Sequence, residues 1–185
     1  MRVNHYLLIA IFLLIISKLL TIFHLNLTET LYLDIDRLFS LIVFLVAYHS
    51  WSQEKFSIKP YLLLIISGLL ISLLAILFSI PFNKMLILFF LTAFVEEILL
   101  RGVLFELLLT KLKPVVIVIS TSLFFTLVHP AIYSSLLYAF AVLLTGLILG
   151  ASYLYFRKQG RALAIVYTTI LHSLIILLGL KLGLI

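Results

Sequence analysis

Long apolar runs, repeated along most of the chain, limit what this sequence can fold into. About seven of them approach the roughly 20 residues that a helix needs to cross the hydrocarbon core of a bilayer. Hydrophobic residues make up 65% of the 185 residues and charged residues only 11%, which is more apolar than a soluble core requires. We therefore expect the all-α class, as a polytopic transmembrane helix bundle of about seven helices.

Breaks that carry Pro, Gly, Asn or charge separate the runs and set the predicted helix boundaries. The connections are too short to hold a second domain, and we find no internal repeat. We expect one membrane domain in two parts, with about three helices and no motif in residues 1–84 and about four helices in residues 85–185. The predicted helices span residues 4–24, 33–51, 60–82, 85–109, 113–129, 131–156 and 161–183.

Lysine and arginine residues concentrate on one set of helix flanks, and this asymmetry predicts the orientation. With the N-terminus in the cytoplasm, most of the basic flanks become cytoplasmic. The net charge of +6 follows from this asymmetry, so we expect the lipid bilayer, and no nucleic acid, as a partner. The short chain, rich in Ile, Leu and Lys, favours a bacterial cell membrane. The absence of cysteine excludes disulfides, thiol catalysis and Cys-ligated metals.

The segment FVEEILLRG places two adjacent glutamates and an arginine inside an apolar run. Ionisable groups at such a depth cost several kcal/mol unless they are paired, buried in the bundle or facing water. On a helix Glu97 and Arg101 share a face, so we predict that they pair, whereas Glu96 points about 100° away. Glu96 is then a candidate general base. The alternative is that all three residues only tie helices together.

Two histidines lie at a similar depth to these glutamates. His129 ends the fifth run in FFTLVHP, and His172 lies inside the seventh run in TTILHSLII. At 1.5 Å per residue from the basic flanks, Glu96, His129 and His172 lie roughly 20, 24 and 16 Å into the membrane. We therefore expect these three groups, from three helices, to share one layer. The alternative is that each histidine is a hydrogen-bonded packing residue.

Two further features carry structural predictions. Glu106 lies at the end of the fourth run, close to Lys111 and Lys113, where we expect a solvated ion pair. Gly146 and Gly150 have the small-xxx-small spacing that favours close contact between membrane helices.

The polar residues resemble three motifs of the CPBP family, the CAAX-protease and bacteriocin-processing (Abi) intramembrane proteases. EEILLRG resembles the EExxxR motif, the segment from Phe125 to His129 resembles FxxxH, and His172 resembles the third motif. The resemblance covers about residues 85–180, the four-helix catalytic core of the family. It implies an endopeptidase in which a glutamate and a histidine activate a water that attacks the scissile carbonyl of a peptide or membrane-protein substrate.

The resemblance also implies a catalytic role for each residue. Glu96 is the general base, and His129 holds and polarises the water. Glu97 and Arg101 form the supporting pair, and His172 contributes to the oxyanion site. No cofactor is certain; if a divalent metal such as zinc takes part, its ligands are Glu96, His129 and His172, although the HExxH pair of many zinc proteases is missing.

One position departs from the family pattern. The third motif usually runs His-x-x-x-Asn, and this chain has Ile176 four residues after His172. Isoleucine cannot donate a hydrogen bond, and losing an oxyanion donor typically costs about 10²–10³ in rate. Thr168, one turn before His172, is a candidate replacement, although a threonine there more often bonds to its own helix.

Two other functions therefore stay open. The first is a catalytically weak or inactive relative that acts in bacteriocin self-immunity or regulates a partner in the membrane. The second is a small transporter or channel in which Glu96, His129 and His172 line a proton or cation path. The lack of visible repeat symmetry weighs against the second.

Overall fold

The structure is a computed structural model that describes residues 58–133 and 135–184. This part of the chain forms five helices joined by short turns and contains no strand. It confirms the all-α class. The first two predicted helices, residues 4–24 and 33–51, lie outside the described residues, so the count of about seven helices and the division at residue 84 stay predictions.

The five described helices correspond to the last five predicted runs. Most of their ends lie within a few residues of the predicted ones, but the first helix ends earlier, at Ile76, and the chain turns through Ser79, whose φ is 61°. The helices are α1 (Lys59–Ile76), α2 (residues 82–109), α3 (Pro114–Leu127), α4 (Leu136–Phe156) and α5 (Arg161–Lys181).

Local sequence explains where several of these helices begin. Pro60 and Pro114 lie in the first turns of α1 and α3, where a missing N–H removes no helical hydrogen bond. The Ser135 side chain caps α4 by accepting a hydrogen bond from the backbone N–H of Tyr138 at 3.2 Å. Gly160 precedes α5 with a φ of 124°, a conformation that favours glycine.

Three described helical segments are long and apolar enough to cross a membrane, namely Lys59–Ile76, Leu136–Gln159 and Arg161–Lys181. Pro114–Leu127 is a shorter apolar helix. Many large apolar side chains on these helices point outward, such as Leu70, which is 60% exposed. Apolar helices that expose leucine in this way fit a lipid solvent. The chain is an integral membrane protein.

Helix α2 packs against α1, α3 and α5 and carries the glutamates and the arginine. Its winding is uneven, because α-helical turns alternate with two π-helical segments, Leu88–Ala93 and Ile98–Phe105. The second π-helical segment begins directly after Glu97 and ends directly before Glu106. Because π-helical turns are rare and concentrate at functional sites, this winding indicates that α2 carries part of a functional site.

Helices α3 and α4 approach each other closely at two glycines. A Cβ added to Gly146 would lie 3.0 Å from the Cβ of Ser122, and one added to Gly150 would lie 3.2 Å from a side-chain carbon of Val118. The predicted close helix contact at both glycines is confirmed.

Candidate active site

Glu97 is at the centre of a buried polar network. Its Oε1 accepts a hydrogen bond from Nη1 of Arg101 at 3.0 Å and lies 3.0 Å from Nδ1 of His172. The side chains of Glu97 and Arg101 are 0% exposed, and that of His172 is 5% exposed. The predicted pairing of Glu97 with Arg101 is confirmed. The histidine is an additional partner that helix spacing did not indicate.

His172 lies between the two glutamates of α2. Its Nε2 is 4.0 Å from Oε2 of Glu96, while its Nδ1 faces Glu97. A separation of 4.0 Å is longer than a direct hydrogen bond but short enough for a bridging group. The Glu96 side chain is 13% exposed, whereas Glu97 is enclosed completely. Glu96 is therefore the carboxylate that a substrate or a water reaches more easily.

Arg101 connects α2 to two other helices. Its Nη2 donates to the backbone carbonyl of Gly146 on α4 at 3.3 Å. Its guanidinium carbon lies 5.3 Å from the centre of the Phe125 ring on α3, within cation–π range. One buried arginine thus compensates the charge of Glu97 and contacts both neighbouring helices.

His129 lies just after α3, held by its own helix end. Its Nδ1 is 2.6 Å from the carbonyl oxygen of Phe125. Because a carbonyl only accepts, Nδ1 carries the proton, and in the neutral ring Nε2 keeps a lone pair. The Phe125 ring centre lies 4.5 Å from that of His129 and 5.7 Å from that of His172. The structure thus brings both histidines to one aromatic ring, and brings His172 to Glu96.

The zinc ligand set does not form in this arrangement. Within residues 58–133 and 135–184 there is no group of three or more His, Cys, Asp or Glu side chains that could hold a metal ion. Both ring nitrogens of His172 face carboxylates, and Nδ1 of His129 is bound to a carbonyl. We therefore derive no step through a metal.

The structure gives the positions of two further side chains near the site. The hydroxyl of Thr168 lies 2.9 Å from the carbonyl oxygen of Ala164, so it bonds to its own helix and does not replace the missing donor at Ile176. Tyr138, in the first turn of α4, lies close enough to Glu96 to be influenced by its charge. No sequence motif includes Tyr138. It differs from the other tyrosines only in following Ser135, the cap of α4.

The prediction for Glu106 is wrong. Glu106 is 3% exposed and does not pair with Lys111 or Lys113, which are exposed. Its carboxylate binds Tyr153 of α4, Arg157 in the turn after α4 and Arg161 at the start of α5. Oε1 accepts from the Tyr153 hydroxyl at 2.9 Å and from Nε of Arg157, and Oε2 accepts from Nη2 of Arg157 at 2.9 Å and lies 3.2 Å from Nε of Arg161.

The described residues thus form an all-helical membrane bundle that encloses a buried Glu/Arg/His network. The chain matches the family model described as type II CAAX prenyl endopeptidase Rce1-like over residues 78–178, which is more than half of its length. It belongs to this family, which is part of the CPBP family of intramembrane proteases, and the resemblance seen in the sequence is confirmed. No curated protein and no solved structure matches the chain.

Proposed function

We propose that this protein is an intramembrane endopeptidase that hydrolyses a peptide bond in a peptide or membrane-protein substrate. The observation that carries the proposal is the position of His172 between Glu97, at 3.0 Å, and the more accessible Glu96, at 4.0 Å. Because the chain belongs to a protease family, we interpret this arrangement as a site for peptide-bond hydrolysis.

The proposed reaction begins with a water held by Glu96 and His129. Glu96 takes one proton from the water, while Nε2 of His129 accepts a hydrogen bond from it. The water oxygen attacks the carbonyl carbon, a new C–O bond forms, and the carbonyl oxygen becomes an oxyanion. Glu96 then passes the proton to the leaving nitrogen as the C–N bond breaks. The partial exposure of Glu96 and the lone pair on His129 Nε2 support these roles.

In the proposed oxyanion site, Nε2 of His172 is the hydrogen-bond donor. Nδ1 faces Glu97, and Nε2 points to the side on which Glu96 lies. Such a donor stabilises the charge that develops on the carbonyl oxygen. Arg101 acts on this step only through Glu97.

Protein termini generated in cells test this proposal even when the substrate has not been identified. Membranes from cells that express the wild type, Glu96→Gln or His129→Ala are compared by mass spectrometry of new protein termini. We expect termini that require both Glu96 and His129 and that persist in Ser120→Ala, a control on the outward face of α3. Identical termini in the wild type and in well-folded Glu96→Gln overturn the proposal.

A non-catalytic role is the second candidate, and Ile176 is the observation that favours it. In this case the protein acts by binding, for instance in bacteriocin self-immunity. Its cellular phenotype then survives Glu96→Gln and His129→Ala, while no terminus depends on either residue. The two functions are therefore separated by the same set of variants.

We also propose a bacterial cell membrane with the N-terminus in the cytoplasm. The cysteine-free sequence allows a direct test, because single cysteines at Lys84 and Lys111 are the only sites for a thiol reagent. A membrane-impermeant maleimide is expected to label Lys84→Cys in intact cells and Lys111→Cys only after permeabilisation. The reverse pattern contradicts the orientation.

A further inference from the structure

Two buried glutamates mark the ends of the second π-helical segment of α2. Ile98–Phe105 is preceded by Glu97 and followed by Glu106. Glu97 binds His172 on α5, and Glu106 binds Tyr153 on α4 and Arg157 in the turn that leads to α5. Since Glu106 also pairs with Arg161 at the start of α5, both carboxylates reach α5.

Ordinary α-helical winding does not produce this arrangement. At 3.6 residues per turn, two residues nine positions apart are separated by about two and a half turns and lie on opposite faces. A π-helix bonds each residue to the fifth one along and so takes more than four residues per turn. Nine positions then make about two turns, and both side chains point the same way. The π-helical winding is what allows Glu97 and Glu106 to reach the same neighbouring helix, α5.

The bonds of Glu106 in turn hold that winding in place. Its side chain is 2% exposed, and the donors come from a tyrosine and two arginines. Return to α-helical winding would rotate Glu106 away from these donors and leave a buried carboxylate without its hydrogen bonds, which is strongly unfavourable. No other charged side chain lies between Arg101 and Glu106 to take over this function.

We propose that Glu106 is a positioning residue. By fixing the winding of Ile98–Phe105, it keeps Glu96 and Glu97 turned toward His172, although it touches none of these residues itself. The effect on catalysis rests on the proposed function, whereas the effect on helix geometry does not. Neither the family motifs nor the position of Glu106 in the sequence indicates such a role.

The geometric part is tested by the length of α2. Spin labels on Lys84→Cys and Lys111→Cys, two exposed positions near the ends of α2 in a chain without other cysteines, report this length by pulsed electron paramagnetic resonance. An α-helix rises about 1.5 Å per residue, more than a π-helix does. We expect Glu106→Gln to lengthen and broaden the distance distribution and Glu106→Asp to restore most of it. Lys113→Gln, an exposed charge removal at the same end, is the control and leaves the distribution unchanged.

The catalytic part is tested by kinetics on a peptide that spans a cleavage site found in the membranes. We expect Glu106→Gln to lower kcat by about 10²-fold with little change in KM, because a small displacement of catalytic groups has an effect of this size. Glu106→Asp should recover much of the rate. If Glu106→Gln does not fold, Tyr153→Phe removes one donor to the carboxylate and is expected to act in the same direction with smaller effects.

Two results overturn the inference. One is an unchanged distance distribution in a folded Glu106→Gln protein. The other is a changed distribution with an unchanged kcat, which removes the link to catalysis. If the wild type cleaves nothing, the proposed function fails, while the distance measurement still decides whether Glu106 holds the winding.

Discussion

His172 and Glu97 are 75 positions apart in the sequence, yet Nδ1 of one lies 3.0 Å from Oε1 of the other inside the bundle. This contact joins α5 to α2 and gives the two adjacent glutamates different surroundings. Glu97 is enclosed and already bound to Arg101, whereas Glu96 is more accessible and faces the second nitrogen of His172. The two adjacent carboxylates thus differ in environment, and we expect them to differ in function.

Replacing each glutamate should show this division. Glu97→Gln leaves the buried Arg101 without its counter-charge, so we expect a loss of about 3–5 kcal/mol in the free energy of unfolding. Glu96→Gln should change stability little and abolish cleavage. Thermal unfolding in detergent, combined with the analysis of membrane protein termini, measures both effects.

Equal stability losses in the two variants would contradict this division. So would a stable Glu97→Gln protein, because Arg101 is 0% exposed and has to find another acceptor. Glu97→Asp is the matched control, since it keeps the charge and shortens the side chain. We expect its stability to lie between those of the wild type and Glu97→Gln.

The sequence predicts helices and local pairs well because these depend on neighbouring residues. The length of an apolar run determines a membrane helix, and five runs appear as helices in the described residues. Glu97 and Arg101 pair because they are four positions apart on one helix. The depths predicted from the basic flanks also place Glu96 and His172 in the same layer of the membrane.

What the sequence does not show depends on winding and on contacts between distant segments. Spacing at about 3.6 residues per turn gives no sign of the π-helical segments, and these rotate Glu106 away from the direction expected for it. The arginines that bind Glu106 lie about 50 positions later, Arg157 in the turn after α4 and Arg161 at the start of α5. Sequence distance favours a nearby lysine as the partner of Glu106, but in the folded bundle the two arginines lie closer to it.

Chelation tests whether cleavage depends on a metal. We expect cleavage of the site-derived peptide to persist after treatment with 1,10-phenanthroline, since both nitrogens of His172 face carboxylates. The measurement is kcat before and after removal of metal, with total zinc determined by mass spectrometry. Loss of cleavage that added zinc restores would show that Glu96, His129 and His172 rearrange to bind the metal.

The residue at position 176 should limit the rate. Ile176 lies one turn after His172 on the same face of α5, where the family usually has asparagine. We expect Ile176→Asn to raise kcat, by up to the roughly 10²–10³ that an oxyanion donor contributes. Ile175→Asn, a neighbouring polar substitution on a different face, is the control and should not raise it. An unchanged kcat in folded Ile176→Asn would show that position 176 does not face the oxyanion.

Gly146 should matter for stability and for the setting of Arg101. A Cβ at this position would lie 3.1 Å from the Cα of Ser122, so Gly146→Ala forces α3 and α4 apart, at a cost of about 1–3 kcal/mol. The same shift moves the Gly146 carbonyl, which accepts from Arg101 at 3.3 Å. We expect lower thermal stability and lower kcat together. Gly150→Ala is the matched control, because it meets the tip of the Val118 side chain at 3.2 Å and carries no bond to Arg101. It should lose less stability and keep its kcat, since Gly150 contacts α3 but takes no part in the polar network.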